Sequence, residues 1–193
     1  MTDLRFTHYT AAAAREVRDV VEDVFRRSNR DAIESGDAFG SPEAFMRRFD
    51  AYTDPARGSG FELVVAYLNG IAVGQTWGWP LPPNAAWWGG LRLVDSDADV
   101  AEFIEESGAR SFALSEVMVD QAHAGRGIAH ALHDELLAGR PETRATLLVR
   151  PDNDRAYSAY RRWGWVCVGN LTPSWPDAPT FDVLVKQLGE ESA

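Results

Sequence analysis

The sequence is poor in cysteine and in long apolar runs, and each shortage excludes a class of protein. With a single cysteine, Cys167, the chain of 193 residues cannot form an internal disulfide, which suits the reducing cytosol. No apolar run approaches the roughly 20 residues that a membrane span needs. Residues 1–6 contain neither a basic stretch nor an apolar one, so a secretion signal is not expected. We therefore expect a cytoplasmic protein that does not enter a membrane.

Basic residues are also in deficit, with 19 against 29 acidic residues and a formal net charge of −10. Such a surface repels nucleic-acid phosphates and mildly favours cationic partners, although general solubility is the simpler explanation of the charge. The 45% hydrophobic and 25% charged residues are typical of a globular protein. Since no repeat or interdomain linker is visible, residues 1–193 are expected to form one domain. Because of the negative charge, no nucleic-acid partner is expected.

Apolar patterns and turn residues predict alternating strands and helices. Asn69-Gly70 joins two apolar runs, and this pair is the strongest short-range signal for a β-hairpin. The predicted elements, in chain order, are a strand at 4–8, a helix at 10–26, a loop at 27–41, a helix at 41–53, strands at 61–68 and 71–79, a short helix near 100–104, a strand at 111–119, a helix at 126–138, a strand at 145–149, a helix at 153–163, and strands at 166–168 and 181–187. This order is that of an α/β protein.

A glycine-bearing loop connects the strand at 111–119 with the next helix. The loop contains Gly125 and Gly127. The first N–H groups of a helix lack intrahelical partners, and the helix dipole adds partial positive charge, so this helix start suits a pyrophosphate. A loop for nucleoside triphosphates would need a lysine and a hydroxyl residue where Ile128 and Ala129 stand, so that class is excluded.

A dinucleotide-binding loop is a second alternative for the same segment. It would need a third glycine where His130 stands, with an acidic residue about 20 positions further on. The next strand instead ends at Arg150, which could suit a phosphorylated ribose. This alternative stays open and predicts a dehydrogenase that needs a nicotinamide cofactor.

A third interpretation fits more positions, because the segment resembles the GNAT superfamily of N-acetyltransferases. That family has the loop (Arg/Gln)-x-x-Gly-x-(Gly/Ala) after a strand, and Gly127 and Ala129 match it. Ala124 stands where the family has Arg or Gln, and Arg126 could supply the missing charge. The family's helix pattern Asn-x-x-Ala-x-x-x-Tyr-x-x-x-Gly-aromatic is matched at Asn153, Ala156, Tyr160, Gly164 and Trp165.

The resemblance implies a single-domain fold with a mixed, splayed β-sheet and helices on both faces. It also implies acetyl-CoA as cosubstrate, whose pantetheine arm would lie against a strand like an added strand. The expected coenzyme-binding residues are Val117, Met118, Val119, Ala124, Gly125, Arg126, Gly127, Ile128, Ala129, Asn153, Ala156 and Tyr160. Dimers are common in the family, so a homodimer is a possible assembly.

Glu116 is the candidate general base. By period-two alternation it shares a strand face with Phe112, Leu114 and Met118, and a carboxylate on an apolar face is costly. Desolvation would raise its pKa towards neutrality, which suits a base. Two alternatives remain: a structural acid paired with a buried amide or arginine, and a relay of the proton through water.

Tyr160 is the candidate general acid, since the family resemblance places its usual tyrosine here. It would donate a proton to the departing coenzyme A thiolate. A thiol titrates near 8.5 and a phenol near 10, so such a donor needs a preorganised site. Its helical spacing from Ala156 and Trp163 is also that of an ordinary core aromatic, and that alternative stays open.

Tryptophans supply the candidate substrate wall, at positions Trp77, Trp79, Trp87 and Trp88. The first two are equally explained as core residues, whereas the other two lie in a loop beside glycines and suggest a pocket or an interface. Their loop belongs to residues 81–110, a segment long for a connection and therefore predicted to be a lid or insertion.

The histidines and the cysteine are not expected to take part in the chemistry. His130 and His133 lie away from the apolar stripe of their helix, so they are predicted to be solvated, and His123 stands alone. No metal is therefore expected. Cys167 alternates with valines in an apolar strand, which disfavours an acyl-cysteine intermediate.

The resemblance and these residues together predict direct transfer of an acetyl group from acetyl-CoA to a primary amine in a ternary complex. The acidic composition favours a small cationic acceptor, although other amines, amino acids and peptide N-termini remain open. The alternative from another class is a non-catalytic acyl-CoA-binding or regulatory module, which Ala124 favours and Glu116 with Tyr160 disfavours.

Overall fold

The computed structural model describes residues 3–36, 40–57, 60–174 and 178–189. The helices and strands, in chain order, are β1 (Leu4–Thr10), α1 (Ala11–Glu16), α2 (Arg18–Ser28), α3 (Arg30–Glu34), α4 (Pro42–Tyr52), β2 (Glu62–Leu68), β3 (Ile71–Pro80), β4 (Arg92–Leu93), α5 (Val100–Phe103), β5 (Ser111–Val119), α6 (Ile128–Leu137), β6 (Arg144–Val149), α7 (Asp154–Arg162), β7 (Val166–Leu171) and β8 (Phe181–Gln187). The chain divides into two compact units, each made of two segments. Unit 1 is Met1–Trp79 with Glu116–Ala138, and unit 2 is Pro80–Ser115 with Gly139–Ala193.

In the described part of the chain, the strands form one mixed sheet of eight, in the order β1-β2-β3-β5-β6-β8-β7-β4. Strand β5 pairs with β6 in parallel through its first three residues, Ser111 to Ala113, whereas β6 and β7 pair with β8 in antiparallel orientation. The predicted α/β class, with a mixed splayed sheet and helices around it, is confirmed. Among the described residues, no helix has both the length and the apolar composition needed to cross a membrane.

The predicted hairpin is confirmed at Asn69-Gly70, which joins the antiparallel strands β2 and β3. Both residues have left-handed backbones, with φ of 51° at Asn69 and 83° at Gly70. Two consecutive left-handed residues match the twist of the flanking strands, so this short turn fixes their register. The hairpin thereby positions β3 in unit 1.

Aromatic rings fill the core of unit 1. Helix α4 contributes Phe45 and Phe49, whose ring centres lie 5.2 Å and 5.4 Å from the fully buried ring of Trp77 on β3. Phe61 completes the group at 6.4 Å from Trp77. Because Ser41 caps α4 and Pro42 occupies its first turn, the start of this helix is fixed as predicted.

The first helical region differs from its prediction. The expected helix at 10–26 is broken at Val17, where the backbone has φ of −106° and the N–H bonds to the carbonyl of Ala14, three residues back. A β-branched residue has reduced helix propensity, which fits a break at this position. The segment 27–41, predicted as a loop, contains the end of α2 and the five residues of α3.

A buried polar network organises unit 2. The guanidinium of Arg144 on β6 donates to Ser111 Oγ at 2.6 Å, to the Phe103 carbonyl at 2.8 Å and to Glu106 Oε1 at 3.1 Å. Trp88 Nε1 donates to the same carboxylate oxygen at 3.1 Å. The two charges of this network are therefore paired, as burial requires, although the buried Glu106 Oε2 accepts no hydrogen bond from the described residues. Through Trp88, Phe103 and Glu106, the network ties the 81–110 segment to β6 within unit 2.

Candidate functional site

In unit 1, the end of β5 at residues 116–119 leads through a 3-10 turn and a glycine-bearing loop into α6. Gly125 and Gly127 have left-handed backbones, with φ of 76° and 78°, a conformation that favours glycine. A Cβ atom at either position would meet nothing within 4 Å, so backbone conformation rather than space requires glycine. Gly127 immediately precedes α6, and no side chain of the described residues caps the helix there. The first N–H groups of α6 can therefore bind an anionic ligand.

The beginning of this loop is fixed by the buried carboxylate of Asp120. It accepts hydrogen bonds from the Ala122 N–H at 3.0 Å and from the guanidinium of Arg27 on α2. Arg27 also donates to the Ala72 carbonyl of β3 at 2.7 Å and to Asp23 at 2.8 Å. Although burial disfavours ionisation, the Ala122 N–H and Arg27 outweigh it, so the pKa of Asp120 is lowered. The ion pair between Arg27 and Asp120 thus connects α2, strand β3 and the glycine-bearing loop.

Glu116 lies half-buried on β5, and its carboxyl has the predicted electrostatics. Burial raises its pKa from 4.5 to about 7, and the nearby positive charge of Arg48 opposes the rise. The backbone carbonyl of Glu116 accepts a hydrogen bond from Thr76 Oγ1 on β3 at 2.7 Å, which holds the strand in place. At neutral pH, the carboxyl is therefore poised between its charged and neutral forms, as a general base should be.

A group of four side chains in unit 1, here called the aromatic–arginine cluster, contains Arg48, Tyr52, Arg57 and Trp79. The Tyr52 ring at the end of α4 lies on the Trp79 ring of β3, with centres 4.2 Å apart and planes inclined by 32°. The guanidinium carbon of Arg57 lies 4.6 Å from the centre of the Tyr52 ring and 5.1 Å from that of Trp79. Arg48 precedes Tyr52 by one helical turn.

The cluster and Glu116 share one electrostatic environment. Burial raises the pKa of Tyr52, the Glu116 carboxylate adds to the rise, and Arg57 and Arg48 oppose it. Arg48 also lowers the pKa of Glu116, so it acts on both the carboxyl and the phenol, whereas Arg57 acts on the phenol. Within unit 1, the Glu116 carboxyl therefore interacts electrostatically with Arg48 and with the Tyr52 phenol.

In unit 2, helix α7 contains the other predicted residues. Asn153 caps it, because its Oδ1 accepts from the Ala156 N–H at 3.2 Å. Tyr160 is half-buried, and its ring makes edge contacts with Trp163 and Trp165 at centre distances of 5.6 Å and 6.0 Å. Asn153, Ala156 and Tyr160 are therefore held on one short helix. The coenzyme-binding and catalytic roles predicted for them stay predictions.

The four tryptophans predicted as a substrate wall occupy two different kinds of environment. Trp77 is fully buried in the aromatic core of unit 1, and Trp79, only 7% exposed, is buried within the aromatic–arginine cluster. In unit 2, Trp88 is buried in the Arg144 network, and Trp87 is half-buried with its Nε1 donating to Thr146 Oγ1 at 3.4 Å. The substrate-binding role predicted for these tryptophans stays a prediction, and Trp79 belongs to the acceptor site proposed below.

The prediction that His133 is solvated is wrong. Its side chain is only 1% exposed, because the buried arc of α6 is wider than the stripe expected from Ile128, Leu132 and Leu136. His133 Nδ1 lies 2.7 Å from a carboxylate oxygen of Asp134, and the exposed His130 lies 3.4 Å from the other. The ligand atoms of these three residues lie within 4.8 Å of one another. The absence of a catalytic metal stays a prediction.

Sequence reasoning missed Arg48, Tyr52 and Arg57, although part of the signal was present. Arg48 and Tyr52 are spaced as neighbours on one helical face, and this pattern could have placed them on one side of α4. Nothing in the sequence, however, indicated that this side would lie near Glu116. The pairing of Arg27 with Asp120 is also invisible locally, because 93 residues separate them.

The sequence matches the model of a known protein family. The model of the Acetyltransferase (GNAT) family matches residues 22–165, well over half of the chain. The chain therefore belongs to the GNAT acetyltransferase family, and the prediction made from the loop and helix motifs is confirmed. None of the curated proteins with which the chain was compared matches it.

Solved structures show the same fold at low sequence identity. An acetyltransferase from Thermus thermophilus is similar with a TM-score of 0.62 and 16% identity, over 96% of this chain and 97% of that one. The ribosomal-protein-S18-alanine N-acetyltransferase of Escherichia coli gives 0.61 and 13%, over 98% and 97%. The PaiA N-acetyltransferase of Thermoplasma acidophilum, solved with coenzyme A, gives 0.57 and 11%, over 96% and 99%. Such identities support the fold alone.

Proposed function

We propose that this protein transfers an acetyl group from acetyl-CoA directly to the primary amine of a small molecule, in a ternary complex. The observation that carries the proposal is the half-buried carboxyl of Glu116, with a pKa of about 7, on the strand that leads into the glycine-bearing loop. An acid with this pKa suits proton abstraction at neutral pH, and membership of the GNAT family makes an acetyl group the transferred unit.

The coenzyme is bound by backbone groups in this proposal. The N–H groups at Gly125, Gly127 and Ile128 bind its diphosphate, and Arg126 adds the charge that Ala124 lacks. The backbone from Val117 to Val119 binds the pantetheine arm as an added strand. Among the structures of the same fold, the one from Thermoplasma acidophilum is described as a complex with coenzyme A, which supports this cosubstrate. Ala129, Asn153 and Ala156 complete the proposed contacts by resemblance to the family.

Acetyl transfer requires a neutral amine, and this requirement defines the role of Glu116. An alkyl ammonium has a pKa near 10.4, so it must lose a proton before its nitrogen can attack. The Glu116 carboxylate accepts that proton, directly or through one water molecule. The neutral nitrogen then attacks the thioester carbon, and a strand N–H of residues 117–119 stabilises the resulting oxyanion.

Collapse of the tetrahedral intermediate breaks the carbon–sulfur bond as the new amide bond is retained. The departing electron pair stays on sulfur, and the Tyr160 hydroxyl supplies the proton that makes a neutral thiol. The attacking nitrogen still carries one excess proton in the intermediate, and it loses this proton to water as the neutral amide forms. That proton restores the phenol through solvent, and the proton held by Glu116 is the one released overall. The reaction therefore needs no metal and no covalent enzyme intermediate, and Cys167 has no part in it.

A thiol-release assay with acetyl-CoA tests this function. We expect free coenzyme A thiol to appear only when a suitable amine is present, together with an acetylated product that mass spectrometry identifies. The acceptor panel should include simple amines, diamines, amino acids and peptides, since the net charge of −10 favours cationic molecules but does not select one. A protein that binds acetyl-CoA yet releases no thiol with any class would instead be a binding or regulatory module.

A further inference from the structure

The aromatic–arginine cluster presents one guanidinium group to solvent beside the aromatic rings. The side chain of Arg57 is exposed, and its guanidinium carbon lies over both the Tyr52 and the Trp79 rings. A guanidinium that stacks on a ring keeps its N–H groups in its own plane, where they form a fork that matches a carboxylate. Among the residues that the structure describes, Arg57 forms no ion pair. Its N–H groups therefore remain to bind a ligand beside the two rings.

The charge around the Tyr52 phenol has the opposite sign to that of the whole chain. The charged groups that influence the Tyr52 phenol are Glu116, Arg48 and Arg57, two of them positive. Glu116 itself is only partly ionised near neutral pH. The local environment therefore attracts an anionic group, even though the formal net charge is −10.

A cationic acceptor fits this environment less well. Aromatic faces such as those of Tyr52 and Trp79 often bind a ligand's ammonium group, but here the guanidinium of Arg57 already lies over both rings. A second cation on the same faces would be repelled by Arg57. A neutral amine with a carboxylate elsewhere in the molecule meets no such repulsion.

We infer that the acceptor is an amino acid or a similar small amine with a carboxylate, which the guanidinium of Arg57 binds beside the Tyr52 and Trp79 rings. This inference rests on the proposed function and specifies its acceptor class. Arg57 fixes the carboxylate end, the rings contact the carbon skeleton, and the amino group is left for Glu116. The net charge of the chain favours a cationic acceptor, and the local geometry overrides that expectation.

Matched acceptor pairs test the inference. Each amino acid is compared with the amine that has the same skeleton without the carboxylate, for example leucine with isopentylamine, and a linear diamine is added. Steady-state kinetics are measured at saturating acetyl-CoA for the unmodified protein, Arg57→Gln, Arg57→Lys and Arg47→Gln. Arg47 is an exposed arginine of the same helix as Tyr52 and lies outside the cluster, so its variant controls for loss of one positive charge.

We expect the amino acid to exceed its carboxylate-free partner in kcat/KM by at least roughly tenfold, the usual effect of a charge-assisted hydrogen bond. Arg57→Gln should remove most of that preference through a higher KM, Arg57→Lys should retain part of it, and Arg47→Gln should leave it unchanged. Equal or faster turnover of the carboxylate-free amine or the diamine would overturn this inference and leave the proposed function standing. Absence of thiol release with every acceptor would overturn both.

Discussion

Replacing Tyr160 with phenylalanine is expected to slow acetyl transfer by roughly 10²–10³-fold, the usual contribution of a general acid. The variant loses only the hydroxyl group, so the ring contacts with Trp163 and Trp165 are retained and the fold should be preserved. The loss should fall on kcat with little change in KM for acetyl-CoA, because protonation of the thiolate occurs after binding. Steady-state thiol release and a thermal unfolding curve of the same preparation check both parts.

The matched control for this prediction is Tyr157→Phe, which also removes one phenol hydroxyl group from α7. Burial and hydrogen bonds with Cys167 and Asp182 raise the pKa of Tyr157, so its phenol is a poorer proton donor. We expect this variant to keep most of its activity. If Tyr160→Phe were as active as the unmodified protein, Tyr160 would be an ordinary aromatic of α7. A large loss in Tyr157→Phe would then transfer the acid role to that residue.

The second large effect is expected from Glu116→Gln, which should abolish the rise of the rate with increasing pH. In the unmodified protein the carboxylate is the active form, so the rate should rise through pH 7, where the carboxyl titrates, and then level off. Glutamine has the same shape but cannot accept the proton. The rate above pH 7 should therefore fall by roughly 10²–10⁴-fold, with coenzyme A binding retained.

The same titration affects stability with a definite sign. The folded protein holds the Glu116 proton more tightly than the unfolded chain, since burial raises the pKa from 4.5 to about 7. This contribution to stability is complete below pH 4.5 and is lost as the pH rises through 7. Glu116→Gln should therefore be more stable than the unmodified protein at pH 8, and thermal unfolding across this range measures the difference.

Arg48→Gln provides the companion test of the pKa assignment. Because Arg48 lowers the pKa of Glu116, its removal should move the alkaline rise of the rate to higher pH without abolishing it. If the unmodified protein and Glu116→Gln had the same pH profile, Glu116 would not be the general base. The carboxyl would then be a structural acid of β5.

Local sequence signals predicted the parts of the fold that depend on a few neighbouring residues. Asn69-Gly70 fixes a hairpin because both positions adopt left-handed backbones, and Ser41 and Asn153 cap helices through their own side chains. The break at Val17 was not predictable, because the apolar periodicity continues through it. The burial of His133 was also missed, since the width of a buried helix face depends on what packs against it.

Part of the candidate site could likewise be predicted from local sequence, and part could not. The glycine loop and Glu116 could be found from sequence, because a short motif and strand alternation suffice to identify them. The aromatic–arginine cluster could not, since Tyr52 and Trp79 come from separate elements that meet only in the folded chain. Burial of Trp77 and Trp88 was likewise undetermined, because a tryptophan in a strand or loop fits both a core and a binding surface.

Calorimetric titration of coenzyme A into the purified protein tests the central claim most directly, that the helix start after Gly125 binds the coenzyme's diphosphate. We expect coenzyme A to release heat at a single site and pantetheine, which lacks the diphosphate, to bind much more weakly. Gly127→Ala should weaken coenzyme A binding by straining the left-handed backbone at φ of 78°. Gly139→Ala is the matched control, because Gly139 has φ of 65°, open space around it and a place in another loop. No heat from coenzyme A, or equal affinity for pantetheine, would contradict the account.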